Sequence, residues 1–113
     1  NKVEWNNYRT YLKKYQIILK DRSEEISNIS NEITDEIKIW NQTKKQLVNS
    51  SDSNEVSNGL DQVIKTLQDI LKIAHTRLED VFIIQKGITQ MVLNVDEMIT
   101  EIELAEVQMQ KNY

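Results

Sequence analysis

The side chains able to do acid–base or metal chemistry are few: His75, the adjacent pairs Glu24–Glu25 and Glu79–Asp80, and the acids Glu101, Glu103 and Glu106. His75 is the only histidine, and the usual metal site needs several ligands, so it reads as a surface residue. Carboxylates adjacent in sequence splay around a helix, so each pair reads as a solvated face rather than an acid–base couple. There is no cysteine to serve as a thiol nucleophile or zinc ligand. No glycine-rich phosphate loop and no Gly-x-Ser-x-Gly elbow occurs. These residues predict no catalytic centre, no cofactor and no metal.

Binding chemistry has one better candidate. Trp5, Tyr8, Tyr11 and Tyr15 crowd the start of the chain. Rings with polar tips suit a small-molecule or partner site, although Trp5, Tyr8 and Tyr15 also fall where a helix core would want them. Three Asn-x-Ser/Thr sequons, at Asn28, Asn41 and Asn49, carry no weight in so Asn- and Ser-rich a chain.

The elements that position these residues follow from composition. The 113 residues suit one domain. Proline is absent and glycine occurs only at 59 and 87, which permits long helices. The formal charge is −4 with both signs interspersed. Phosphate recognition needs a clustered basic surface, and the nearest, Arg9 to Lys14, is offset by acids, so no nucleic-acid partner is expected. No run of roughly twenty apolar residues is present to cross a bilayer. The chain opens on Asn1, which suggests an excised or processed segment, with any membrane anchor in segments absent from this chain.

In the first half, Trp5, Tyr8, Leu12, Tyr15, Leu19, Arg22, Ile26, Ile29, Ile33, Glu36, Trp40, Thr43 and Leu47 alternate spacings of three and four, the heptad signature. Near Glu36, Ile37 can take over the seam between Ile33 and Trp40. The stretch Asn49 to Gly59 is rich in Ser, Asn and Asp and predicts a loop, with Asp52 or Ser53 as the next helix cap. The heptads restart with Leu60, Val63, Leu67, Ile70, Ala74, Arg77, Val81, Ile84, Ile88, Met91, Val95, Met98, Ile102, Ala105 and Met109.

This second half also carries an extra apolar stripe: Ile64, Leu71, Leu78, Val92 and Ile99. A single neighbouring helix cannot cover two adjacent stripes, and soluble monomers rarely leave a long apolar strip bare. Those five residues are therefore candidate packing or interface positions. The expected partners are other helices of the same full-length protein or a second copy in a homo-oligomer.

The pattern predicts an all-α fold: a long antiparallel helical hairpin, coiled-coil-like, with one helix over about 2–48, a loop over about 49–55 and a second helix over about 55–112. A four-helix bundle is the competing form, reached by dimerisation or by breaks near 22 and 77. Capping-box spacings at Asp21–Glu24 and Thr76–Glu79 mark those breaks. The heptad phase crosses both without a shift, which favours unbroken helices. Folding about the loop brings Arg22 and Arg77 into neighbouring seam layers, a candidate polar layer that needs carboxylates or solvent. Gly87 reads either as a tolerated surface glycine or as a point of close helix approach.

The segment Glu36 to Gln108 resembles a known family through three features. "IWNQTKKQL" sets Trp40 and Thr43 three apart near a helix end, a polar loop follows, and the second helix carries Gln85 with Ile88 three later among evenly spaced aliphatics. Together these are similar to the extracytoplasmic helical region of large MscS-type mechanosensitive channels, the potassium-efflux-like group. The resemblance implies a non-catalytic periplasmic module of a bacterial membrane protein, on the extracytoplasmic face. It assigns no pore residue, because no pore-lining segment is present. Alternative readings are a ligand-sensing bundle of a chemoreceptor or sensor histidine kinase, and a plain coiled-coil assembly module.

Overall fold

A computed structural model describes residues 1–47 and 53–111. It contains two helices, α1 (Lys2–Leu47) and α2 (Ser53–Lys111), joined as an antiparallel hairpin. The all-α hairpin expected from the heptads is the fold. Of the expected loop, 49–52 lie outside the described residues, Asp52 as a cap among them, and 53–59 are helical. Helix α2 begins at Ser53, before the expected restart, and takes in Gly59. Glu55 in its first turn and Lys44 and Lys45 in the last turn of α1 suit the helix dipoles. At the other end Asn1 caps α1: its Oδ1 accepts the Glu4 backbone N–H at 3.0 Å.

Neither candidate break is a break. Residue 22 lies within α1 and residue 77 within α2, and neither helix is interrupted there. Thr76 does not cap; its hydroxyl donates back to the Lys72 carbonyl at 3.1 Å, the bond a threonine makes inside a helix. Packing nevertheless divides the chain close to these places. Unit 1 comprises Asn1–Arg22 with Val81–Tyr113, and unit 2 comprises Ser23–Asp80.

In unit 1, Lys2 pairs with Glu103, Arg9 with Asp96 and Gln16 with Thr89. Each step of seven up α1 meets a step of seven down α2, which fixes an antiparallel register. Lys44 and Asp61 pair in unit 2 and keep that register. The core of unit 1 is Leu12, Val92, Val95 and Ile99, with Trp5 and Ile88 packed against it. In unit 2, Leu60, Ile64 and Ala74 are buried, and so are the hydroxyl residues Ser23 and Ser30. The Ser30 hydroxyl is satisfied locally, donating to the Ile26 carbonyl at 2.9 Å.

The seam differs from expectation in half its positions. On α1 the covered rows are Trp5, Leu12, Leu19, Ile26, Ile33, Trp40 and Leu47, as expected, but alternating with Arg9, Gln16, Ser23, Ser30, Ile37 and Lys44. The expected Tyr8, Tyr15, Arg22 and Ile29 are each displaced by the residue that follows and lie exposed, while Ile37 takes the seam from the exposed Glu36, as expected. On α2 the covered row beside Leu60, Leu67, Ala74, Val81, Ile88 and Val95 is the extra stripe itself: Ile64, Leu71, Leu78, Val92 and Ile99, joined by Gln85. Val63, Ile70, Ile84, Met91 and Met98 form the uncovered strip. The physical reason is that α2 supplies two adjacent apolar rows and α1 meets the inner one with what stands opposite: the small Ser23 and Ser30, and at Arg9 and Lys44 long stems that lie over apolar surface while their heads reach Asp96 and Asp61.

Arg22 and Arg77 are both exposed, off the seam. Ser23 and Leu78 hold the seam positions beside them, so the polar layer expected from the two arginines does not form there. Gly87 is exposed, and a Cβ built on it meets nothing within 4 Å. It marks no close approach of another helix.

Candidate functional site

The aromatic cluster lies on α1 in unit 1. Successive turns carry Trp5, Tyr8, Tyr11 and Tyr15, so three- and four-residue spacings bring the rings into pairs. Trp5 and Tyr8 meet edge-to-face with centroids 6.4 Å apart, and Tyr11 and Tyr15 likewise at 5.0 Å. The Tyr11 and Tyr15 hydroxyls share a hydrogen bond of 3.2 Å. That bond, followed by electrostatic interaction with Tyr15, holds the Tyr11 phenol above its ordinary value of 10.0. Only Trp5 of the four packs against the core. Tyr8, Tyr11 and Tyr15 are exposed at 39%, 55% and 40%.

Trp5 and Tyr8 form one wall of a shallow cavity of about 230 Å³, with Met91, Asn94, Val95 and Met98 of α2 as the other. Its lining residues are mostly apolar, with Asn94 the one amide among them. A drug-sized ligand site encloses roughly 300–1,000 Å³ and converges several polar groups, so this concavity suits a single inserted side chain better than a metabolite. The structure brings together Trp5 and Tyr8, and separately Tyr11 and Tyr15.

The opposite edge of unit 1 is polar. Arg9 Nη1 lies 3.1 Å from Asp96 Oδ1, and Lys2 Nζ 3.3 Å from Glu103 Oε1. Gln16 Nε2 donates to Thr89 Oγ1 at 3.4 Å. Each ion pair is half exposed, so each contributes about 0–1 kcal/mol and serves register more than stability. Sequence reasoning missed this edge. Its signal was a charge repeat: Lys2 and Arg9 are one heptad apart, as are Asp96 and Glu103.

His75 is exposed in unit 2. No group of three or more potential metal ligands occurs among the described residues, and none of their helices is long and apolar enough to cross a membrane. No buried side-chain polar atom among them lacks a hydrogen-bond partner.

No protein-family model, curated protein or solved structure was found to match the chain. The resemblance to the channel region therefore stands on Trp40, Thr43, Gln85 and Ile88. Trp40 and Thr43 lie at the seam of unit 2, half-buried, where any antiparallel coiled coil places such residues.

Proposed function

We propose that this chain is a non-catalytic helical module that works by packing and by reach. One observation supports the reading above others: covered residues on both helices follow a three–four alternation along the described length, leaving a second apolar row bare beside it. Such a hairpin holds its two ends at a fixed register and offers a lateral surface to further helices. Its setting, the periplasmic region of a bacterial mechanosensitive channel, follows from the resemblance. The test is to delete the segment from the full channel and record tension-activated current. A changed threshold supports a gating role, and an unchanged response removes it.

The cavity beside Trp5 and Tyr8 favours a second reading, a ligand-sensing bundle. Binding to the folded state raises the melting point by mass action. A thermal-shift screen with amino acids, sugars and aromatic acids separates the two: a rise abolished by Tyr8→Ala supports sensing, and no rise favours the packing module.

A further inference from the structure

Besides its seam, α1 carries a second three–four row within unit 1: Glu4, Tyr8, Tyr11, Tyr15, Ile18 and Arg22. All of them are exposed. Tyr8, Tyr11, Tyr15 and Ile18 are 39%, 55%, 40% and 44% exposed. Spacings of four, three, four, three and four set the row on one stripe of the helix, the pattern that one coiled-coil strand presents to another. Contact with α2 does not use this stripe, since α1 meets α2 through Trp5, Leu12, Arg9 and Gln16. Three rings and an isoleucine in a line are more apolar surface than a lone helix face leaves to water.

We propose that two copies of the chain associate through this stripe, α1 against α1 and antiparallel, about a twofold axis level with residue 13. Inverting the numbering about 13 sets Glu4 against Arg22 of the second copy, Tyr8 against its Ile18 and Tyr11 against its Tyr15. The twofold repeats each pair, as an isologous interface requires. Charge selects both the occupant and its direction. A helix covering this stripe needs a cation at the Glu4 end and an anion at the Arg22 end, and the same stripe reversed supplies both. A parallel alignment would set Glu4 on Glu4 and Arg22 on Arg22, with like charges at each end.

Both charges are open to a partner. Arg22 makes no ion pair among the described residues. Glu4 meets the Asn1 amino group at 3.4 Å from a side chain 79% exposed, a pairing that solvent leaves weak. The rings at the axis are set in advance: Tyr11 and Tyr15 already stack edge-to-face at 5.0 Å and share a hydrogen bond, which lowers the ordering cost of docking. Lys14 borders the stripe and nears its own copy at the solvent-facing rim, where screening limits the repulsion. Every residue of the stripe belongs to unit 1, and the proposal is independent of the channel reading.

Sedimentation equilibrium of the whole chain, from about 1 µM to about 500 µM, tests it. The stripe spans about five turns of helix and makes a small interface, so a monomer–dimer equilibrium with a dissociation constant of roughly 10–100 µM is expected. Arg22→Glu and Glu4→Arg each weaken it about tenfold, since each sets like charges together at two symmetry-related places. The double substitution returns the constant to within about threefold of the original. Ile18→Asp, which would bury a charge against Tyr8, removes association over the whole range. Circular dichroism keeps its helical signal in Arg22→Glu and Ile18→Asp, because both positions are exposed, so these two variants carry the test even if Glu4→Arg loosens the first turn. A monomer throughout, a trimer or larger species, an Arg22→Glu or Ile18→Asp variant that associates as tightly as the original, or a double charge variant as weak as the singles overturns the proposal.

Discussion

Arg9 reaches Asp96 across the helix pair at 3.1 Å from a position inside the seam, while Tyr8, the more apolar neighbour, lies 39% exposed. A cation holds the place a coiled coil would give to leucine. The pair is half exposed and contributes at most about 1 kcal/mol, whereas burying a leucine side chain contributes roughly 1.5–3 kcal/mol. Arg9→Leu is therefore expected to stabilise the fold by about 1 kcal/mol, read as a higher urea midpoint at unchanged slope. A loss of stability would mean that the seam does not include position 9.

The helices, their antiparallel course and the absence of breaks were legible in the sequence because heptad phase survives from end to end. Which of two adjacent rows is covered was not. Tyr8 and Arg9, or Ile29 and Ser30, differ by one residue in a helix, and hydrophobicity favours the first of each pair. Burial follows the partner instead: α2 turns the Ile64–Leu71–Leu78 row inward, and α1 answers with what stands opposite, including Ser23 and Ser30. The ion-pair edge was present as a charge repeat, but such a repeat identifies a contact only once the antiparallel register is known. The aromatic cluster was legible as a group of residues. Its division into two ring pairs needed coordinates.

The two rows of α2 are separable by truncation. Ile64 is 8% exposed and Val63 38%. Ile64→Ala removes buried methylenes and leaves a cavity, with an expected cost of about 2–5 kcal/mol. Val63→Ala is expected to cost under about 1 kcal/mol in protein dilute enough to be monomeric. Chemical denaturation of both variants at a few µM checks the order, and equal losses would mean that both rows are covered within one chain.

Tyr11 carries a pH signature. Its hydrogen bond to Tyr15 favours the protonated phenol, so its folded value lies above the 10.0 of an ordinary tyrosine. For an acid whose folded value is raised, the linked contribution to stability is complete below the unfolded value. It is lost as pH rises through the folded one. The side chain is solvent-exposed, so the signature is to be sought in titration rather than in a melting curve. Absorbance at the phenolate band should show Tyr11 ionising after an ordinary tyrosine, and Tyr15→Phe should bring it back towards 10.0.

Both glycines sit inside α2 with open space where a Cβ would stand, and neither has a positive φ. No close approach and no turn requires them. Glycine in a helix interior costs about 1 kcal/mol relative to alanine through lost backbone entropy. Gly87→Ala and Gly59→Ala are each expected to stabilise the hairpin by about 0.5–1 kcal/mol. The positions are a long way apart in sequence and share no contact, so the gains should add. Thermal unfolding of the two single variants and the double checks this. If Gly87→Ala lowers the melting point, another helix must approach that point in solution, and the uncovered face would extend round to position 87.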